Sequence, residues 1–327
     1  MDAAYPLGST GLRVSPIGLG CWQFSDGRGL AGRYWPSLPQ QTVRDIVRVS
    51  LAAGITWFDT AEVYGKGASE TALATALREL DVPRARYVLA DKWFPALRCA
   101  RSIRRTFPRR EEALLGLGID LHQIHHPFSF SSVEKQVEQM GRLVVEGRVQ
   151  SVGVSNFSEP LMRRAHAGLV SAGVPLATNQ VRYSLIDRAI ERNGVLGAAS
   201  ELGITIIAYS PLGQGILTGK YHEGADIRAS VGPRRWMRRF RPDGLQATRP
   251  LVELLHATAA AHDAVPAQVA LAWVVQRHGT RIVAIPGATS VAQAESNAAA
   301  LRIHLTADEI TELDAAGLAA ERSLAGR

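Results

Sequence analysis

Cysteine and long apolar runs are scarce in this chain of 327 residues. Cys21 and Cys99 are its only cysteines, too few for a disulfide framework or a cysteine-based metal site. No apolar run reaches the ~18 residues that a membrane-spanning helix needs. The first residues also lack the basic head and apolar stretch of a secretory signal. We therefore expect a cytoplasmic protein with no metal ion and no membrane partner.

Acidic residues are outnumbered, since 30 Asp and Glu face 37 Lys and Arg, for a net charge of +7. Much of the excess lies in one short stretch that contains Arg234, Arg235, Arg238, Arg239 and Arg241. Glycine and proline bound this stretch, and no nucleic-acid-binding signature surrounds it. We expect no nucleic-acid partner. The stretch is either a solvated loop or a loop that faces an anion, and the sequence leaves its role open.

Short apolar runs alternate with longer amphipathic stretches along the whole chain. The runs predict strands at residues 17–20, 56–59, 88–92, 121–125, 151–155, 178–180, 205–209 and 282–285. Helical spacing is found between them, for example at 41–53, 69–80, 133–146, 159–167, 194–202 and 266–276. Short, mostly apolar strands are typical of a parallel sheet covered on both faces. Eight such units indicate a single α/β domain, a (β/α)8 TIM barrel over residues 1–327.

The alternative fold, a doubly wound sheet, lacks its expected signal. Residues 17–22 do not supply the GxGxxG turn that opens a helix in dinucleotide-binding sheets. Before the first strand, the segments around residues 8–11 predict a β-hairpin that caps the bottom of the barrel. After the seventh strand, residues 218–246 have no clear periodicity, which is typical of a long lid or binding loop.

Four chemically active side chains follow three consecutive predicted strands. Asp59 ends the second strand, Tyr64 lies just after it, Lys92 ends the third strand and His125 ends the fourth. Strand ends of a barrel meet at one mouth, where catalytic residues lie. A carbonyl that receives a hydride needs a proton on its oxygen, and a nearby ammonium lowers the pKa of a phenol. Each residue alone has an ordinary structural interpretation, but together they favour Tyr64 as a general acid.

Several motifs in the chain resemble those of the aldo-keto reductases. They are DTAEVYG at 59–65 with Ser69 and Glu70, DK at 91–92, DLHQIH at 120–125, GVSNF at 153–157, YSPL at 209–212 and IPGA at 285–288. The resemblance runs in order from about Leu7 to Leu305. Residues 213–221, GQGILTGKY, are most similar to a subgroup of bacterial aldo-keto reductases and the β subunits of voltage-gated potassium channels.

The resemblance implies a catalytic tetrad of Asp59, Tyr64, Lys92 and His125, and a nicotinamide cofactor bound without the Rossmann fingerprint. Ser155, Asn156 and Gln180 would hold the nicotinamide carboxamide, and Tyr209 would stack on its ring. The other implied cofactor contacts are Gly20, Cys21, Trp22, Asp59, Ser210, Pro211, Leu212, Gly213, Gln214, Gly215, Lys220, Arg228, Ile285, Gly287, Thr289, Gln293 and Asn297. Histidine at position 125 fits carbonyl reduction, since relatives that reduce carbon–carbon double bonds carry Glu there.

One departure from the family pattern concerns the cofactor's 2′-phosphate. Many relatives have Lys or Arg just after the Pro-Gly, whereas residues 288–293 are uncharged here. An uncharged site argues for NAD, because a 2′-phosphate needs a basic partner. The channel β subunits resemble this neutral stretch, bind NADP(H) and use an arginine from the preceding loop, where Arg228 stands. NADP(H) is therefore favoured, and NAD(H) remains an alternative.

Aromatic residues make up only 6% of the chain, yet several fall on loops after strands. Trp22, Trp93, Phe94, His125, Phe128 and Phe157 are the predicted substrate pocket, with Phe24, Phe130 and Tyr183 as further candidates. An apolar or aromatic carbonyl compound is the expected small-molecule substrate. Two other functions stay open, an NAD-dependent sugar or alcohol dehydrogenase and a cofactor-binding, redox-sensing regulatory subunit. The physiological substrate and the oligomeric state are not predicted.

Overall fold

The strands form a small hairpin and a parallel sheet in a computed structural model that describes residues 4–32, 34–226 and 236–326. The hairpin pairs β1 (Tyr5–Pro6) with β2 (Arg13–Val14). The sheet contains β3 (Leu19–Gly20), β4 (Trp57–Asp59), β5 (Val88–Trp93), β6 (Ile119–Ile124), β7 (Val149–Ser155), β8 (Leu176–Arg182), β9 (Thr205–Tyr209) and β10 (Ile282–Ala284). Each strand of the sheet pairs in parallel with the next one along the chain. Every predicted strand overlaps one of these eight.

The first and last strands of the sheet meet, so the sheet closes into a barrel. Parallel bridges join Ile17 to Ala284 and Gly20 to Gly287. The Gly20 amide donates to the Pro286 carbonyl at 3.0 Å. A side chain at position 20 would put its Cβ 2.8 Å from the Ile285 carbonyl oxygen, so the seam needs glycine. The predicted (β/α)8 barrel is confirmed.

Helices follow the strands and cover the outside of the barrel. They are α1 (Gly29–Gly32), α2 (Gln40–Ala52), α3 (Ala68–Glu79), α4 (Arg101–Ala113), α5 (Val133–Val145), α6 (Glu159–Val170), α7 (Val195–Glu201), α8 (Pro242–Ala261), α9 (Pro266–Gln276), α10 (Val291–Ala299) and α11 (Ala307–Ala325). The six predicted helices are present, with ends that shift by up to three residues. Their apolar faces pack on the strands. The strands are covered on both sides, and this burial is consistent with their mostly apolar sequences.

The start of α8 corrects the predicted long loop. The helix begins at Pro242, inside the segment 218–246 that was expected to be irregular. Pro250 lies within the helix and hides its periodicity in the sequence. Burial of Leu251 and Leu255 against the core stabilises the helix despite this proline. Residues 227–235 of the same segment lie outside the described residues.

The hairpin seals the end of the barrel where the strands begin. Leu7 and Val14 are fully buried against barrel-interior residues that include Trp57 and Leu121. The Gly8 amide also donates to the Thr205 hydroxyl at 2.8 Å. The predicted cap at the bottom is confirmed, so the opposite mouth, at the carboxyl ends of the strands, is the end left for a site.

Candidate active site

A cavity of about 1210 Å³ opens at the carboxyl ends of the strands. Its wall contains residues from both ends of the sheet, for example Gly20 at the end of β3 and Gly287 after β10. Pockets for drug-sized ligands usually occupy about 300–1,000 Å³. This cavity is larger, so an elongated ligand and a small second molecule fit side by side.

A buried ion pair lies at the floor of the cavity, where β4 and β5 end. Lys92 is fully buried and donates from Nζ to the Asp59 carboxylate, and also to the Thr60 carbonyl at 2.9 Å. The amides of Gln123 and Gln180 donate to the other Asp59 oxygen at 3.1 and 2.9 Å. Burial favours neutral Lys92, but its interactions with Asp59, Tyr64 and Asp91 together outweigh burial and raise the pKa of Lys92 above its ordinary value. The ammonium therefore stays charged without water.

Tyr64 places its hydroxyl 3.5 Å from the Lys92 ammonium. The turn that carries it is left-handed at Gly65, where φ is 66°, and a Cβ there would overlap the Ser25 carbonyl. Trp22 stacks on the Tyr64 ring at 6.0 Å. Burial raises the pKa of Tyr64 to about 12, although Lys92 acts to lower it. The prediction that Lys92 lowers the pKa of Tyr64 overall is thus wrong. Removing water from the phenolate raises this pKa by more than attraction to the ammonium lowers it.

His125 directly follows β6 rather than ending it, and its amide donates to the Trp93 carbonyl at 3.0 Å. Its ring meets the Tyr64 ring edge-on, with centroids 5.6 Å apart. Burial, together with Lys92 and His126, holds the pKa of His125 well below its ordinary value. The imidazole is neutral at neutral pH and offers one donor and one acceptor. The Tyr64 phenol and the neutral His125 imidazole therefore line one part of the cavity, and the buried Lys92 ammonium contacts the phenol.

The wall beyond the tetrad presents an amide beside a flat aromatic ring. Asn156 has a left-handed backbone, with φ of 60°. Its Nδ2 donates to the His125 carbonyl at 3.1 Å and to the Ser155 hydroxyl at 3.0 Å. The Tyr209 hydroxyl donates to Asn156 Oδ1 at 3.0 Å. This network holds the Tyr209 ring in place and suits a flat ligand that carries an amide group.

Two further stretches of the wall suit the remainder of an elongated, anionic ligand. The first turns through left-handed residues Gln214 and Gly215 to reach Lys220, and Gln214 Oε1 is buried with no hydrogen-bond partner among the described residues. The second is the start of α10, where Gln293 Oε1 accepts from the Thr289 amide at 2.8 Å. The unpartnered Gln214 oxygen calls for a donor group of a bound molecule, such as a hydroxyl, whereas the Lys220 ammonium suits an anionic group. The residues present therefore fit a dinucleotide.

The structure brings together most of the residues expected to contact the cofactor. The cavity wall contains Gly20, Cys21, Trp22, Asp59, Ser155, Asn156, Gln180, Tyr209, Ser210, Pro211, Leu212, Gln214, Gly215, Lys220, Ile285, Gly287, Thr289, Gln293 and Asn297. Gly213 is an exception: it is not among the residues of the cavity wall, and a Cβ there would lie 2.8 Å from the Ile186 side chain. Arg228 lies outside the described residues.

The predicted substrate pocket is corrected at three of its six positions. Trp22, Phe94 and His125 line the cavity. Trp93 and Phe157 are 1% exposed and lie away from the cavity, in the apolar core outside the barrel (the outer core). Trp93 points outward because it follows Lys92, which points inward, and side chains alternate along a strand. Phe128 is 55% exposed and lies outside the wall, against Phe94 and His126.

The three further aromatic candidates also lie elsewhere. Phe24 is buried in the outer core, and Phe130 is 74% exposed. Tyr183 is fully buried and donates to Glu191. Position on a loop did not distinguish the cavity from the core or the surface, because the direction of each side chain depends on how the loop folds.

Several aromatic and charged residues of the cavity wall were not predicted from the sequence. Tyr34 and Trp35, in the connection between β3 and α2, contact Trp22 with ring centroids 5.0 and 5.7 Å away. Lys66 and Arg182 also line the cavity. An adjacent Tyr-Trp pair between glycine and proline was the available signal for the aromatic part.

A family model described as the aldo/keto reductase family matches residues 16–317. An uncharacterized oxidoreductase of Mycobacterium tuberculosis is 40% identical over 296 residues, 90% of this chain and 87% of that protein. The thermostable aldo-keto reductase Tm1743, solved with the inhibitor epalrestat, is 26% identical with a TM-score of 0.75, over 96% of this chain and 99% of its own. An aldo/keto reductase from Klebsiella pneumoniae, solved with NADP and acetate, is 28% identical with a TM-score of 0.72, over 95% and 94%.

The chain therefore belongs to the aldo/keto reductase family and is an oxidoreductase. Among the described helices, none is long and apolar enough to span a membrane. The resemblance inferred from the sequence motifs is confirmed.

Proposed function

We propose that the protein reduces an aldehyde or ketone to an alcohol with NADP(H), and that Tyr64 is the general acid. The contact between the Tyr64 hydroxyl and the buried Lys92 ammonium, 3.5 Å apart, carries the proposal. The bound cofactor supplies the hydride. A raised pKa keeps the proton on Tyr64 at neutral pH, where a carbonyl oxygen that gains negative charge can take it.

The remaining tetrad residues support this proton transfer. Lys92 stabilises the phenolate that is left on Tyr64, and Asp59 keeps Lys92 charged and in place. Neutral His125 can donate a hydrogen bond to the carbonyl oxygen and orient it toward Tyr64. Trp22 and Phe94 line this part of the cavity, and with a substrate bound their rings would limit the access of water to the reacting carbonyl.

The wall supports a nicotinamide dinucleotide as the cofactor. Asn156, Ser155 and Gln180 would hold the carboxamide beside Tyr209, and the stretch from Ser210 to Lys220 would follow the pyrophosphate. NADP(H) is favoured because the Klebsiella relative was crystallised with NADP. The cofactor's adenosine end would lie near Gly287 and Asn297, where residues 288–293 are uncharged.

The first test is a titration of purified protein with NADPH and with NADH, followed by quenching of tryptophan fluorescence. Aromatic and aliphatic aldehydes are then added, and loss of the reduced nicotinamide absorbance is measured. Tighter binding of NADPH with turnover supports the proposal. Preference for NADH favours an oxidising dehydrogenase, and cofactor binding without turnover of any carbonyl favours a redox-sensing regulatory subunit.

A further inference from the structure

Three loops at the mouth of the barrel carry groups proposed for the reaction. They follow β4, β5 and β6 and comprise residues 60–67, 94–100 and 125–132. Tyr64 lies in the first loop, Phe94 in the second and His125 in the third. The His125 ring meets the Phe94 ring edge-on, with centroids 5.6 Å apart, and meets the Tyr64 ring at the same distance. Loops are less rigid than strands, so this arrangement needs contacts between the loops themselves.

Glu62 links the first of these loops to the second. It lies two residues before Tyr64, and its side chain is only 11% exposed. Its amide donates to the Lys92 carbonyl at 3.2 Å, which continues the pairing of β4 with β5 beyond the strand. Its carboxylate accepts hydrogen bonds from the Phe94 amide and from the Arg98 guanidinium. The turn of Tyr64 is therefore fastened to the start of the loop that carries Phe94.

Arg98 extends this connection to all three loops. Besides its bond to Glu62, it donates from Nη1 to the Phe94 carbonyl at 3.0 Å. Its own carbonyl accepts from the Phe130 amide at 3.0 Å and from the Ser129 hydroxyl at 2.8 Å. Phe130 and Ser129 belong to the loop that begins with His125. One residue therefore bonds to each of the three loops.

The Arg98 side chain is itself held in place. Its guanidinium lies over the Trp93 ring, 5.2 Å from the centroid. Its Nε donates to Ser102 Oγ at 3.1 Å, and its Nη2 donates to Thr106 Oγ1, both on α4. Neither Arg98 nor Glu62 is among the described residues of the cavity wall. The pair can therefore act on the reaction only through the residues that it holds.

We propose that Glu62 and Arg98 are positioning residues, which hold the loops of Tyr64, Phe94 and His125 in the geometry that proton transfer needs. This inference rests on the proposed reductase function. The bond between Glu62 and Arg98 joins two charged, mostly buried groups, and such bonds are stronger than neutral ones. Displacement of reacting groups by about 1 Å can cost about 10²-fold in rate. The pair should therefore affect turnover although it lies outside the cavity.

The test measures kcat for reduction of para-nitrobenzaldehyde by NADPH, per NADPH-binding site counted by fluorescence titration. Glu62→Ala and Arg98→Met should each lower kcat by about 10–100-fold and leave the Kd for NADPH unchanged. The double variant should be little slower than either single variant, because both changes remove the same contact. Unfolded molecules bind no cofactor, so a mere loss of folded protein would lower the number of sites and leave kcat per site unchanged.

Conservative variants and a matched control sharpen the test. Glu62→Gln should recover most of the lost rate, since its amide oxygen still accepts hydrogen bonds. Arg98→Lys should lose part of the rate, because a lysine cannot reach Glu62 and α4 together, and it serves if Arg98→Met does not fold. Arg148→Met is the control, with kcat expected to equal that of the wild type. Arg148 is 30% exposed against 25% for Arg98, pairs with Glu111 and lies over the Phe107 ring, but it precedes β7 at the end that the hairpin closes.

Three outcomes overturn the proposal. They are an unchanged kcat in Glu62→Ala and Arg98→Met, a loss that consists only of fewer NADPH-binding sites, or losses that multiply in the double variant. If the wild type turns over no carbonyl, the reductase function fails separately, and hydrogen exchange measured by mass spectrometry decides. Faster exchange of the three loops in Glu62→Ala, but not in Arg148→Met, supports the contact between the loops, and equal exchange overturns it.

Discussion

Two buried ionic clusters lie on opposite faces of β5, and they are built differently. The inner cluster, Asp59 with Lys92, faces the cavity. The outer cluster lies between the barrel and α3 and α4, and contains Asp91, Glu70, Glu62, Arg110 and His122. Asp91 and Lys92 are neighbours in the chain, so the alternation of side chains along one strand separates the two clusters.

The inner cluster is balanced, and the outer cluster has an excess of acid. Arg110 lies 3.2 Å from Glu70 and 3.3 Å from Glu62. Burial and the neighbouring Asp91 raise the pKa of Glu70, and Arg110 offsets this only in part. Burial also raises the pKa of Asp91. His122 cannot supply the missing charge, because burial and Arg110 lower its pKa to about 3.

The difference shows how one strand can serve both chemistry and stability. The balanced pair keeps Lys92 charged beside Tyr64 throughout the neutral pH range. The acid-rich cluster instead takes up protons, so it makes the free energy of unfolding depend on pH. Glu62 belongs to the outer cluster and also lies in the turn before Tyr64. It accepts hydrogen bonds from the Phe94 amide and from Arg98, so it connects the outer cluster to the turn that carries Tyr64.

The largest expected effect on activity comes from Tyr64→Phe. Loss of the general acid should lower kcat by about 10²–10⁴-fold, measured as aldehyde-dependent loss of NADPH absorbance. Affinity for NADPH, measured by fluorescence titration, should stay nearly unchanged, because the Tyr64 hydroxyl contacts Lys92 and is not one of the groups proposed to hold the cofactor. A collapse of cofactor binding would show that Tyr64 is misplaced in the mechanism.

The largest expected effect on stability comes from Lys92→Met. This change leaves Asp59 buried without its cation, and the free energy of unfolding in urea should fall by about 3–5 kcal/mol. The double variant Asp59→Asn with Lys92→Met should recover most of that loss, although it stays inactive. If the double variant is less stable than Lys92→Met alone, the inner cluster is not the balanced pair described above.

A smaller, pH-dependent effect is expected from Glu70→Gln. A raised carboxyl pKa means that the folded state holds protons that the unfolded state has lost, so stability falls as pH rises above about 4. Glu70→Gln should remove part of this slope and make the protein about 1–3 kcal/mol more stable, relative to wild type, at about pH 8 than at about pH 5. Urea midpoints at the two pH values measure this. Glu79→Gln, an exposed change on the same helix, should leave the slope unaltered, and an equal slope in Glu70→Gln would contradict the comparison.

Much of the barrel and of the site could be predicted from the sequence. Apolar runs of β-branched residues located all eight strands, and the ends of strands in a barrel meet at one mouth. The positions of Asp59, Tyr64 and Lys92 along the sequence were therefore enough to predict that they lie together. His125 was also predicted there, although it lies one residue beyond its strand. Such features depend on local pattern and on topology, and both can be read along the chain.

Only the tertiary structure decided which loop aromatics face the cavity and how strongly Tyr64 holds its proton. Trp93 and Phe94 are neighbours, yet one lies in the outer core and the other in the wall. The raised pKa of Tyr64 depends on burial by residues that are distant from it in the chain, among them Trp22 and His125, whose rings contact it. Solvent exposure and long-range charge pairs are set by residues distant in the chain, and spacing along the sequence carries no measure of either.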